Sequence, residues 1–192
     1  MTTNLPTIVQ GEIEGADKGR VVSSEAIKIL NMLKSFGADS VQQECNKVLI
    51  EHRNRWILMP PDANVDELGF PFTYRNALRE LERPFVLSTP NSIHVEVLNS
   101  RSPKNPLTGA ATVIINNDFR NPIIRIYLHA LEISNSMIIW TGFQDSFETL
   151  IVHEFMHAYG EPPPEGGVPD SIIRLNHISE EAIRNLKERS KI

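Results

Sequence analysis

Residues 145–160 read DSFETLIVHEFMHAYG, and His153-Glu154-Phe155-Met156-His157 within them sets two imidazoles and a carboxylate at a spacing that can do chemistry. On an α-helix, at about 100° per residue, positions four apart differ by only about 40° around the axis. His153 and His157 therefore leave one face, one turn apart, and can hold one zinc ion. Glu154 leaves the neighbouring flank, where it can reach a water on the metal instead of the metal itself. Phe147, Ile151, Phe155 and Ala158 fall on the opposite side, which can bury in a core while the histidines look into a cleft. Asp145 can cap this helix with Glu148 as its reciprocal partner, and Gly160 can end it. In a chain with six histidines a chance match to this pattern is expected roughly 0.02 times. The motif therefore outweighs the alternative of two histidines hydrogen-bonded in a polar cleft.

A catalytic zinc takes three protein ligands and keeps one position open. Downstream of His157 the candidates for the third are Glu161, Glu165, Asp170, His177, Glu180 and Glu181. Pro162-Pro163-Pro164 and Gly166-Gly167 make 161–169 a loop, and its carboxylates are expected to face water. Residues 179–189, SEEAIRNLKER, form a helix capped by Ser179, with Ile183 and Leu186 on its buried face. Glu180 and Glu181 open that helix, and one of the pair merely favours its N-terminus. His177 is chemically as competent as either. Among the remaining residues, His52, His94 and His129 read as ordinary histidines, Tyr159 as packing at a helix end, and Cys45 as a small core residue.

These residues need a scaffold. Residues 1–20 read as a flexible N-terminal arm, and 21–192 as one domain with a helical part over 21–84. Ser23 or Ser24 caps a first helix with Ala26, Ile27, Leu30 and Leu33 on its apolar face, ended by Gly37. A second helix runs from about 39 to 52 with Val41, Cys45, Val48 and Leu49 on one side. A third runs from Tyr74 to Arg83 and stops before Pro84. Residues 85–192 hold the sheet and the metal-site helices. Phe85–Leu87, Ile93–Val97, Ala111–Ile115 and Ile123–Leu131 read as strands, and Met137–Trp140 as a last short strand or the approach to a helix. Helices, then strands, then helices indicate an α+β domain with a small mixed or antiparallel sheet, not a βαβ repeat.

Composition narrows the class. The chain has 192 residues, 41% hydrophobic and 22% charged, which suits one globular domain. No apolar run approaches the roughly 18–20 residues of a membrane span, and no secretory signal is visible, so a cytoplasmic protein without membrane attachment is expected. One cysteine makes no internal disulfide. A net charge of −5 argues against a general nucleic-acid binder.

The segment VHEFMHAYG resembles the zincin metallopeptidases, over roughly residues 111–190. The resemblance implies that His153 and His157 bind zinc and that Glu154 is the general base in peptide-bond hydrolysis. The metzincin pattern fails one turn later, because Pro163 stands where that group has its third histidine. The arrangement is more similar to the gluzincin plan, and to small phage and bacterial zincin-like proteins, in which a later helix supplies a glutamate. That likeness makes Glu181 the third ligand and sets Asn185, four residues on, where gluzincins carry a residue oriented toward a metal-binding histidine. It also implies a substrate-binding edge strand, for which PIIRIYLHALE is the candidate. Two other functions stay in view. A different HExxH zinc hydrolase such as a deformylase needs an upstream cysteine ligand close in sequence, and Cys45 is far from it. A non-enzymatic zincin-fold protein for binding or assembly has no need of Glu154.

Overall fold

The computed structural model describes residues 5–37, 89–103, 106, 108–134, 137–140, 146–158 and 177–191, and positions 40, 41, 43, 44, 47, 48, 51 and 54. The expected helix over 74–83 and the strand over 85–87 lie outside the described residues. The fold is α+β; among the described residues it has three continuously described helices, further helical positions between 40 and 54, a mixed four-stranded sheet and a small hairpin. Among the described residues no helix is long and apolar enough to cross a membrane.

The sheet has the order β1-β2-β4-β3, from β1 (Thr7–Ile13), β2 (Ser92–Leu98), β3 (Ala110–Val113) and β4 (Ile123–Tyr127). β1 and β4 run parallel to β2, and β3 runs antiparallel to β4 at the edge. The alternation in SIHVEVL works as its sequence predicts. Ile93, Val95 and Val97 are fully buried, while His94 and Glu96 lie on the other face. Register extends that parity across the sheet. Val95 pairs with Ile124 and Ile124 with Thr112, so Thr112 stands on the core-facing side of the edge strand.

β1 corrects the expectation of a flexible arm over 1–20. Residues 7–13 pair with β2, with a bulge between Gln10 and Ile13. TIVQGEI shows no clean alternation because no residue of this strand is fully buried and a bulge interrupts it, with only Ile8 and Ile13 packing against the core beside the backbone ladder. A parallel pair needs a long crossover, which runs through α1 (Ala16–Phe36).

α1 starts two turns earlier than Ser23. Its start is the left-handed Gly15, at φ 80°, where a Cβ would collide with Leu128 Cδ1. The buried stripe of Val22, Ala26, Ile29, Leu30 and Leu33 continues backward to Gly19, which has no side chain to reveal it. Ser23 is consequently mid-helix and buried. Gly37, at φ 87°, ends the helix, its N–H donating to Leu33 O and Lys34 O. The described positions between 40 and 54 are all helical, with Val41 and Val48 fully buried as their spacing predicts.

The apolar run after Pro122 divides. β4 stops at Tyr127, a 3-10 turn covers Leu128–Ala130, and β5 (Leu131–Ser134) begins a hairpin with β6 (Met137–Trp140). Lys18 on α1 spans the break, its Nζ donating to Leu128 O at 3.0 Å and Leu131 O at 2.7 Å.

α2 (Phe147–Ala158) packs against α1, β3, β4, β6 and α3 (His177–Ser190). It is buried nearly all round. Phe147, Leu150, Ile151, Val152, Phe155 and Ala158 join the core, and Thr149, His153 and Glu154 are buried with them. Because Ile151 is at the centre of this packing, Ile151→Ala should cost about 2–5 kcal/mol in urea unfolding. Phe119→Ala, at a side chain 65% exposed, should change stability by no more than about 0.5 kcal/mol.

Candidate metal centre

α2 is started by Ser146. Its Oγ accepts the Thr149 N–H at 3.1 Å and lies 2.9 Å from Thr149 Oγ1. Asp145, the expected cap, is outside the described residues. Glu148, its expected capping-box partner, stands in the first turn of the helix. Its carboxylate receives Lys187 Nζ of α3 at 2.9 and 2.8 Å, tying the start of α2 to the later turns of α3.

One turn separates His153 from His157, and their Nε2 atoms are 3.1 Å apart, with ring centroids at 4.8 Å. That separation serves an imidazole–imidazole hydrogen bond, one ring donating to the other's lone pair. It also suits two nitrogens of one zinc. At Zn–N distances of about 2.0–2.1 Å, the edge of a tetrahedron is about 3.4 Å. His153 is buried and His157 is half-buried, so one imidazole is fixed in the core and the other meets the surface. Two nitrogen donors converging in this way fit a zinc site.

Glu154 is 3% exposed. Thr112 Oγ1 lies 2.9 Å from its Oε1 and 3.1 Å from its backbone carbonyl oxygen, so one hydroxyl donor serves both acceptors. The other oxygen, Oε2, is 3.8 Å from His153 Nε2. The two carboxylate oxygens thus have different neighbours, the edge strand for one and His153 for the other. Sequence reasoning missed Thr112. Its only signal was a hydroxyl within the apolar run AATVII, and its facing depends on the sheet register.

The expected third ligand lies on α3. Glu181 is half-buried on α3 and Glu180 is exposed. Among the described residues no group of three His, Cys, Asp or Glu side chains stands ready for a metal ion. α3 starts at His177, two residues before the expected cap Ser179. Asn185 does not turn toward a histidine. Its Nδ2 donates to Glu44 Oε1 at 3.1 Å, and Arg189 Nη2 donates to Glu44 Oε2. Glu44 belongs to the helical positions between 40 and 54 and is buried. The gluzincin expectation for Asn185 is therefore corrected. The residue joins two helices, because a buried carboxylate must be hydrogen-bonded.

PIIRIYLHALE is not an edge strand. β4 has partners on both sides, and the edge beside α2 is β3. His129 is exposed, with Nε2 3.2 Å from Asn99 O, and His94 Nε2 is 3.1 Å from Ser92 Oγ. Both stand apart from α2 as ordinary histidines. His52, Cys45, Tyr159, Glu161, Glu165 and Asp170 lie outside the described residues. Compared with known proteins, the chain matches no family model, no curated sequence and no solved structure.

The Glu44 network has a pH signature. Burial alone would raise the Glu44 carboxyl, but hydrogen bonds from Arg189 and Asn185, with the charges of Arg189 and Lys47, hold it below the usual carboxylate value. A folded-state value below the unfolded one gives stability that is present above the unfolded carboxylate pKa of about 4.3 and lost as pH falls through the folded value. Thermal melts of wild type and Glu44→Gln between pH 7 and pH 2 should therefore differ most at neutral pH and converge in acid.

Proposed function

We propose that the chain is a zinc-dependent metallopeptidase of the zincin type, acting on a peptide or protein substrate. The observation that carries this reading is the pair of Nε2 atoms 3.1 Å apart beside the buried carboxylate of Glu154. His153 and His157 are the zinc ligands, and Glu181 on α3, which packs against α2, is assigned as the third on the resemblance to gluzincins. Zinc held by these residues would supply an activated water, with its pKa lowered to about 7, and a Lewis acid for the scissile carbonyl.

The chain's own residues supply the rest. Glu154 accepts the proton of the attacking water and hands it to the leaving amine nitrogen. Its carboxylate sits one residue from a ligand but on another flank of the helix, as a base that does not bind the metal should. Among the described residues β3 pairs on one side only, with β4. An extended peptide can add to its other side by main-chain hydrogen bonds, next to the helix that carries the base.

Three sets of variants test this reading. His153→Ala and His157→Ala should each lose most zinc affinity, and with it the stability that a ligand of the folded state adds. Glu181→Ala should weaken zinc binding more than Glu180→Ala, and equal, negligible effects would move the third ligand to His177. Glu154→Gln should keep zinc content and melting temperature while turnover on a denatured protein pool falls by at least about 100-fold. A wild-type protein that binds zinc and cleaves nothing would instead support a zincin-fold binding protein.

A further inference from the structure

We infer that Thr112 is a positioning residue for Glu154, selecting which carboxylate oxygen faces His153 and coupling the base to the edge strand β3. The inference rests on the proposed metallopeptidase reading. Three observations carry it. The Thr112 hydroxyl is within hydrogen-bond distance of both Glu154 Oε1 and the Glu154 carbonyl oxygen, at 2.9 and 3.1 Å. A contact to the backbone as well as to the side-chain end of one residue restrains the torsions between them, where a contact to the carboxylate alone would leave the chain free to swing. Oε2, the oxygen that Thr112 does not hold, is the one 3.8 Å from His153 Nε2. Finally, Thr112 sits on the core-facing side of β3 by register with Ile124 and Val95. The hydroxyl therefore belongs to the strand and moves with it.

The chemistry follows from the geometry. A general base must present one oxygen to the attacking water, and a displacement of about 1 Å can cost about 100-fold in rate. Oε2 is the oxygen on the His153 side, and it is the one assigned to take the proton. A peptide that adds to β3 also presses on the strand that sets the base, so substrate docking and base alignment share one element.

Thr112→Val keeps the β-branched shape and removes the hydroxyl, while Thr112→Ser keeps the hydroxyl. Both are compared with wild type and Glu154→Gln after cobalt(II) replaces zinc, since the visible cobalt bands report the surroundings of the metal without any substrate. Thr112→Val should shift those bands in the direction that Glu154→Gln does, and Thr112→Ser should reproduce the wild-type spectrum. Adding Thr112→Val to Glu154→Gln should cause no further shift. On denatured casein, Thr112→Val should lower kcat about tenfold or more with KM within about twofold, and Thr112→Ser should restore most of it. A Thr112→Val protein with wild-type bands and kcat overturns the inference. So does an additive shift in the double variant, which would make Thr112 act independently of Glu154 and keeps the test decisive should Thr112→Val melt early. Wild type that binds no cobalt would overturn the metallopeptidase reading itself, and this inference with it.

Discussion

A carboxylate with 3% of its surface exposed has to be hydrogen-bonded, because an unpaired buried charge costs several kcal/mol. Glu154 meets that demand through Thr112, a residue 42 positions earlier in the chain. The pairing requires that β3 lie against α2 and that its register place Thr112 inward. That register is set by β4, and β4 is set by β2. The order of the sheet is thus linked to the orientation of one side chain on one helix.

The same helix is restrained at its start and along its length. Ser146 caps it, and Lys187 binds Glu148 in the first turn. Phe155 and Ile151 are fully buried beneath it. α3 is held in turn by Asn185 and Arg189 on Glu44. The Lys187–Glu148 and Glu44 contacts join separate elements, and each involves a half-buried or buried group whose alternative partner is water. Two imidazoles in such a frame lose little freedom when a metal binds, which is the physical meaning of a preorganised site.

How much of this was legible in the sequence depends on the range of the interaction. The motif helix, the alternation of SIHVEVL and the stop at Gly37 are local patterns, and they appear as expected. β1 was hidden because a half-exposed edge strand interrupted by a bulge has no clean apolar period. The first turns of α1 were hidden because Gly19 occupies a buried position without a side chain. Asn185 was misread because its partner Glu44 is 141 residues away, and spacing along one helix carries no information about that. Thr112 belongs to the same class. The histidine pair, by contrast, depends only on helical geometry, and it stands where the spacing puts it.

The central claim is that His153 and His157 share one zinc ion with Glu154 beside it but not bound to it. Anomalous scattering at the zinc edge, from a crystal of the full chain grown with zinc, tests this most directly. The account predicts one strong peak about 2.0–2.1 Å from both Nε2 atoms, with Glu154 outside bonding distance and a third protein ligand in view. A peak elsewhere, a Glu154 oxygen bonded to the ion, or no peak between the two histidines would contradict it.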